Sequence, residues 1–198
     1  ESTTLAAEKG SFPAYSPQLL DSGFAKTLKR GIRSKIRTHG LRNAALLTVA
    51  PTGTTGMVHG VTTGIEPVMS ARYLRRYNTE EGQDSAVVED WHSIAYPDHI
   101  EDASNMHPEA HFKMQEVVQM HVDNAVSKTI NLPKDFPKEE LSDLWLKYLP
   151  VIKGSTFYRW GSRDNEPIQP LGPAEVAEEV ADDLAPFDPS CPDGSCEV

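Results

Sequence analysis

Residues 164–198 differ from the rest of the chain in a way that limits where a folded core can form. They contain ten acidic residues, and no Lys or Arg follows Arg163. They also contain six of the 15 prolines of the chain. A segment of this composition cannot bury enough apolar surface to offset the entropy lost on ordering. We therefore predict one folded domain in residues 1–163 and a largely disordered acidic tail in residues 164–198.

The charge of the chain is concentrated in this tail. The chain has 29 acidic and 19 basic residues, so the ten tail acids account for its net charge of −10. Residues 22–65 hold seven Lys or Arg and no acid, which could indicate nucleic acid, but a solvated helix face or attraction of phosphates explains them more simply. No apolar run approaches the length of a membrane span, and no signal peptide is recognisable. We expect a cytoplasmic protein with neither a nucleic-acid nor a membrane partner.

The two cysteines, Cys191 and Cys196, lie in the last eight residues. Two thiols on a flexible segment can reach a partner and exchange disulfides with it. A structural zinc site normally takes four Cys or His ligands, and the chain has no other Cys. A terminal disulfide of a secreted protein is the alternative, and the lack of a secretory segment disfavours it. We predict that the pair forms a mobile redox arm.

The hydrophobic pattern of the first 163 residues is typical of an α/β domain with short buried strands. Helices are predicted over residues 2–9, 24–38, 108–126 and 137–149, and strands over 46–50, 129–132 and 155–160. Residues 51–64 are predicted to form a loop. Residues 78–104 are predicted to be irregular, apart from a short helix around 85–95.

A loop rich in Thr and Gly follows the first predicted strand, and it is the main candidate for binding chemistry. Its members are Pro51, Thr52, Gly53, Thr54, Thr55 and Gly56. Glycines leave backbone N–H groups accessible and threonines add hydroxyls, and both groups suit a phosphate. The Gly-Lys-Ser/Thr of a Walker loop is missing. By composition alone, a structural turn explains the segment equally well.

Two other sets of polar residues allow more than one interpretation. His107, His111 and His121 could suggest a metal site, but His111 and His121 would lie about 80° apart around a helix. We expect surface or packing roles for them and predict no metal site. Glu66 follows the loop and could act as a general base or could anchor the loop.

Five segments resemble, in order and spacing, the C-terminal part of the catalytic subunit of ribonucleotide reductases. They are residues 42–55, 63–67, 126–133, 157–163 and 191–198. The resemblance extends over residues 7–198. The Ser-Lys-Thr-Ile-Asn-Leu-Pro stretch at 127–133 is most similar to the adenosylcobalamin-dependent class II enzymes, whereas the terminal Cys-x-x-Gly-x-Cys pattern is shared with class I.

The resemblance implies the C-terminal portion of a ten-stranded α/β barrel. It implies an enzyme that reduces ribonucleotides to deoxyribonucleotides with a thiyl radical. The radical-bearing cysteine cannot lie in this chain, because Cys191 and Cys196 are its only cysteines, so the chain is expected to be inactive by itself. Residues 51–56 match the loop that holds the substrate phosphates. Cys191 and Cys196 match the arm that reduces the active-site disulfide.

The resemblance also implies particular cofactors and partners. Adenosylcobalamin would be bound mostly by residues outside this chain, and thioredoxin or glutaredoxin would reduce the cysteine arm. The substrate would be a ribonucleoside di- or triphosphate, and the protein could form a homodimer.

Class I enzymes carry two adjacent tyrosines near the last strand. Here Phe157 precedes Tyr158, which disfavours a class I large subunit, the first alternative. The second is a redox-switched binding module in which the cysteines tether a partner.

Overall fold

A computed structural model describes residues 1–79, 82–96, 98–103, 105–162 and 168–171. The helices are α1 (Ser2–Lys9), α2 (Gly23–Thr27), α3 (Arg30–His39), α4 (Gly53–Val58), α5 (Trp91–Ala95), α6 (Pro108–Gln119) and α7 (Lys138–Tyr148). The strands are β1 (Arg72–Thr79), β2 (Gly82–Glu89), β3 (Thr129–Leu132), β4 (Thr156–Arg159) and β5 (Ile168–Pro170). The α/β class predicted from the sequence is confirmed, as are α1, α7, β3 and β4.

The strands form two small sheets. Strands β3 and β4 run parallel, with Thr129 opposite Thr156 and Leu132 opposite Arg159. Strands β2, β1 and β5 form an antiparallel sheet in that order. Within the described residues these sheets do not close into a barrel, so the expected ten strands are not seen as such.

The main hydrophobic core lies between α6, α7 and β3. Its buried members are Phe112, Ile130, Leu132, Tyr148 and Ile152. The rings of Phe112 and Tyr148 stack with their centroids 5.1 Å apart. This core holds α6 against β3 and thereby positions the residues around the start of that strand. A second cluster of Leu20, Ile36 and Leu41 holds the N-terminal helices together.

The basic segment does not form one helix as predicted. It is divided into α2 and α3, because Leu28 is extended, with φ −68° and ψ 145°. This break lets the Leu28 side chain pack against the second cluster. Gly40 ends α3 with φ 73°, as the sequence predicted.

The predicted strand at 46–50 is only partly formed. Val49 makes an isolated parallel bridge with Val126, and the backbone N–H groups of Leu46 and Leu47 are bound by the Asp123 carboxylate at 2.8 and 2.6 Å. The segment therefore lies beside residues 123–127 without a continuous ladder. Leu46 and Leu47 are 41% and 57% exposed rather than buried.

Residues 72–89 contradict the irregular structure predicted for 78–104. Strands β1 and β2 pair antiparallel, with Arg72 opposite Glu89 and Thr79 opposite Gly82. Cross-strand pairing compensates for a sequence with few apolar residues, and it brings Arg72 within 3.5 Å of Glu89. Of the short helix predicted around 85–95, only residues 91–95 are helical, as α5, and residues 85–89 belong to β2.

Three residues of the segment predicted as the tail form a strand. Ile168–Pro170 form β5 and pair antiparallel with Arg75–Tyr73 of β1. The sequence analysis missed this pairing because three residues ending in Pro carry almost no strand signal. The other tail residues, 164–167 and 172–198, lie outside the described part of the chain.

Candidate functional site

The Thr/Gly loop leads directly into a short helix. Sequence analysis predicted a loop over 51–64, but α4 begins at Gly53. Before it, Thr52 adopts a positive φ of 47°, a region that residues with a Cβ rarely occupy. This turn directs the chain from the Val49 bridge into α4.

The first turn of α4 presents backbone donors to solvent. The Gly56 N–H donates to the Thr52 carbonyl at 2.8 Å. The N–H groups of Gly53, Thr54 and Thr55 precede this bond, so they have no acceptor within the helix. Such N–H groups are the donors that bind anions at helix starts.

The predicted loop residues differ in exposure. Pro51, Thr52, Gly53 and Thr55 are exposed, and Gly56 is buried. The side chain of Thr54 lies outside the described part of the structure. The structure therefore brings the predicted residues together around the start of α4, with Gly56 facing inward.

The loop is closed by contacts between its two ends. The Gly64 N–H donates to the Thr52 hydroxyl oxygen at 2.9 Å. A Cβ at Gly64 would lie 3.2 Å from the Ala50 carbonyl oxygen, and φ there is +56°. A glycine is thus needed where the returning chain approaches residue 50. The indole N–H of Trp91 adds a contact to the Gly60 carbonyl at 3.1 Å.

Beyond the closed loop lies a buried ionic cluster formed by Glu66, Lys128 and His111. The Lys128 ammonium is paired with the Glu66 carboxylate, donates to the Thr129 carbonyl at 2.8 Å and lies 3.0 Å from His111 Nδ1. The other Glu66 oxygen accepts the Thr129 N–H at 2.6 Å. Of the two roles considered for Glu66, the contacts correspond to loop anchoring.

The charges of this cluster are set by burial. His111 is fully buried, and its pKa is lowered to about 4, first by burial and then by the positive charge of Lys128. Burial also lowers the pKa of Lys128, whereas Glu66 acts in the opposite direction. His111 is therefore neutral at pH 7, and its Nδ1 can accept a hydrogen bond from Lys128.

Sequence analysis did not identify Lys128 as a functional residue, and for His111 it considered a metal site but expected a surface or packing role. The available signal was a lysine directly before an apolar strand. Because side chains alternate along a strand, the one at this position is directed inward. Among the residues that the structure describes, no group of three or more His, Cys, Asp or Glu could hold a metal ion. His107 caps α6, accepting the Glu109 N–H at 3.2 Å.

The face of β3 and β4 opposite the core is polar. Ile130 and Leu132 point into the core, so Thr129 and Asn131 lie on the other face, because side chains alternate along a strand. Asn131 is opposite Tyr158. The buried Oδ1 of Asn131 has no hydrogen-bond partner among the described residues.

Two of the predicted site residues cannot be placed. Cys191 and Cys196 lie outside the described residues. In the part of the chain that is described, no helix is both long and apolar enough to cross a bilayer.

Comparison with known proteins connects this geometry to a family. The family model for the ribonucleotide reductase barrel domain matches residues 1–148. The chain belongs to the ribonucleotide reductase family. The resemblance recognised in the sequence is thus confirmed, and the family match includes the Thr/Gly loop, α6 and β3.

Members of this family with curated descriptions cover the chain almost completely. A vitamin B12-dependent ribonucleoside-diphosphate reductase of Mycobacterium tuberculosis (strain CDC 1551 / Oshkosh) is 30% identical over 99% of the chain. A ribonucleoside-diphosphate reductase 1 subunit alpha of Salmonella typhimurium is 28% identical over 84% of it. The chain spans only 30% and 21% of the lengths of these two relatives.

A solved structure of a B12-dependent (class II) ribonucleotide reductase supports the same fold. It aligns with 63% of the chain at a TM-score of 0.52 and 18% sequence identity, and the chain covers 21% of it. This similarity concerns the fold and does not assign individual residues.

Proposed function

We propose that the chain supplies the substrate-phosphate loop of a ribonucleoside-diphosphate reductase. The observation that carries this proposal is the Thr/Gly loop at the start of α4, in a chain that belongs to the ribonucleotide reductase family. In this loop, residues Gly53 to Thr55 offer N–H donors, and Thr52 and Thr55 offer exposed hydroxyls. These groups would bind the phosphates and orient the ribose toward a radical site outside the chain.

A diphosphate is the preferred substrate class in this proposal. The relatives from Mycobacterium tuberculosis and Salmonella typhimurium are both described as ribonucleoside-diphosphate reductases. Residues 22–65 carry seven basic residues and no acid, and this positive charge favours a polyanionic substrate near the loop. We place the enzyme in the cytoplasm.

Adenosylcobalamin is the proposed cofactor, because several relatives are B12-dependent. When bound, it would supply the radical that removes a hydrogen atom from the active-site thiol. The described residues do not form a donor set suited to it: His111 is buried against Lys128, and His107 caps α6. Thioredoxin or glutaredoxin remains the proposed reductant.

The loop assignment is tested in the full-length enzyme by replacing Thr54 and Thr55 with Val, singly and together. Valine keeps the side-chain shape and removes the hydroxyl. The kcat/KM for a ribonucleoside diphosphate should therefore fall by an amount equivalent to about 1–3 kcal/mol of transition-state stabilisation per contact. Thr4→Val, on the exposed surface of α1, is the matched control and should leave the kinetics unchanged. Unaltered kcat/KM in the double variant, with native folding, would refute phosphate binding by these hydroxyls.

A further inference from the structure

Lys128 is a buried cation, and phosphate binding by the loop does not by itself explain why a cation lies at this position. It is 2% exposed, and an ammonium group is costly to bury unless each of its donors finds a partner. Three acceptors surround it: the Glu66 carboxylate, the Thr129 carbonyl and His111 Nδ1. All three N–H bonds of the ammonium can thus be satisfied.

Glu66 connects this cation to the strand that follows it. One carboxylate oxygen accepts from Lys128 and the other accepts the Thr129 N–H at 2.6 Å. Glu66 therefore holds the residue at which β3 begins, although the two lie 63 positions apart in the chain. Since β3 is packed in the main core, Glu66 is bound to a strand whose side chains are buried there.

A short path leads from Glu66 back to the first residues of the loop. The Glu66 N–H donates to the Thr63 carbonyl at 2.9 Å. Two residues before Glu66, the Gly64 N–H binds the Thr52 hydroxyl oxygen. Gly56 packs closely against Thr63. A shift of Glu66 would therefore be transmitted to Thr52, just before α4, and to Gly56 within it.

We propose that Lys128 and Glu66 are positioning residues that hold the Thr52–Gly56 loop in its phosphate-binding conformation, with His111 Nδ1 as the third partner of the Lys128 ammonium. This inference rests on the proposed function of the loop. Neither residue is assigned a contact with substrate. The contribution of the buried pair is therefore expected in the binding of the phosphate part of the substrate.

The test compares Lys128→Met with Lys147→Met in the full-length enzyme. Both changes replace a lysine that pairs with a glutamate. The Lys147–Glu109 pair joins α7 to α6 at the surface, whereas Lys128 is buried. Lys128→Met should raise the Kd for a ribonucleoside diphosphate about 10- to 100-fold, the scale of effect that a small displacement of binding groups produces. The Kd for the corresponding nucleoside, which lacks phosphate, should change less than about threefold. Lys147→Met should change neither Kd.

A second pair of variants covers the case in which Lys128→Met does not fold. Glu66→Gln keeps an oxygen that can accept the Thr129 N–H, whereas Glu66→Ala removes it. The Kd for the diphosphate should therefore rise less in Glu66→Gln than in Glu66→Ala. Equal diphosphate binding in these variants and the parent, with only a lower melting temperature, would overturn the inference and leave the cluster a purely structural role. Equal losses for nucleoside and diphosphate would also overturn it.

The Thr55→Val variant separates this inference from the proposed function. If Thr55→Val weakens diphosphate binding and the Lys128 and Glu66 variants do not, the positioning role alone is wrong. If diphosphate binding is unchanged in Thr54→Val and Thr55→Val and also in the Lys128 and Glu66 variants, the proposed function of the loop fails and the inference fails with it.

Discussion

At the scale of single residues, Gly56 shows how the absence of a side chain shapes the candidate site. A Cβ at this position would lie 2.8 Å from Thr63 Cγ2 and 3.1 Å from Thr63 Cα. The second distance involves backbone, which cannot rotate away as a side chain can. Gly56 therefore allows α4 to approach the segment around Thr63, where the chain returns toward residue 50. No local pattern in the sequence could indicate this contact.

Replacing Gly56 with Ala is expected to destabilise the protein by about 1–3 kcal/mol, because Thr63 must move to accommodate the methyl group. Gly31→Ala is the control: nothing lies within 4 Å of its added Cβ, and Ala in a helix is favoured over Gly by about 0.5–1 kcal/mol. Chemical unfolding of the two variants should thus give changes of opposite sign. A neutral or stabilising Gly56→Ala would contradict the described packing of the loop.

His111 should make stability depend on pH. Its pKa is about 4 in the folded state, against 6.5 ordinarily, so the unfolded chain binds more protons between these values. The stabilisation is therefore fully present above pH 6.5 and is lost as the pH falls toward 4, with a slope of up to about 1.4 kcal/mol per pH unit. Lys128, and Glu66 beyond it, are the charged groups that face the ring.

The measurement is the free energy of unfolding of the parent and of His111→Gln from pH 7 to pH 4. Glutamine retains an acceptor for Lys128 but does not titrate, so the parent should lose stability faster than the variant over this interval. Parallel pH profiles would exclude His111 as a buried neutral group.

At the scale of elements, helix α6 shows where periodicity failed. The spacing of the apolar residues in the predicted helix 108–126 places Met114 and Val117 on its inward face, yet these are 50% and 52% exposed. The buried face carries His111, Gln115 and Gln119 beside Phe112. Gln115 donates to the Val126 and Gly154 carbonyls at 3.0 and 2.8 Å, which satisfies backbone groups of the connections that flank β3 and β4.

Gln115→Leu should therefore destabilise the protein by about 1–3 kcal/mol, since the two carbonyls lose their donor while burial of the side chain is retained. Met114→Leu, on the exposed face of the same helix, should stay within about 0.5 kcal/mol of the parent. Thermal or denaturant unfolding of both variants provides the comparison. A larger loss in Met114→Leu would indicate that the exposed face, rather than the buried polar one, stabilises this region.

The elements that were predicted correctly share a simple local signal. Helix α7 and strands β3 and β4 carry apolar residues at the right period and end near Pro or Gly. The pair of strands β1 and β2 does not, since its order depends on pairing between distant residues such as Tyr73 and Val88. The loop residues 51–56 were recognised from the resemblance, but the Glu66–Lys128 contact spans 62 positions and required the folded structure.

At the scale of the whole molecule, the chain spans about a third or less of the length of its relatives. It covers 30% of the Mycobacterium tuberculosis enzyme and 21% of the Salmonella typhimurium subunit. Exposed apolar residues such as Leu47 and Leu146, which are 57% and 61% exposed, are consistent with surfaces that other parts of such an enzyme would cover. The redox role of the acidic tail is a proposal that belongs to this scale.

If Cys191 and Cys196 carry electrons, replacing both with Ser in the full-length enzyme should leave folding and nucleotide binding intact. The first turnover should proceed, because the active-site thiols start reduced, and later turnovers with thioredoxin should stop. A small dithiol that diffuses to the site should restore them. Each single Ser variant should behave like the double variant, since both sulfurs are needed to resolve a mixed disulfide. Sustained turnover with thioredoxin in the double variant would exclude the redox arm.

The link between Glu66 and the start of β3 also sets an order in time. Synthesis proceeds from the N-terminus, so the segment 51–66 leaves the ribosome well before Lys128 and Thr129 exist. Until β3 joins the core, Glu66 lacks the partners that fix it, and closing a contact over 63 positions has an entropic cost that local contacts do not have. The candidate phosphate loop is therefore synthesised before the strand on which the position of Glu66 depends.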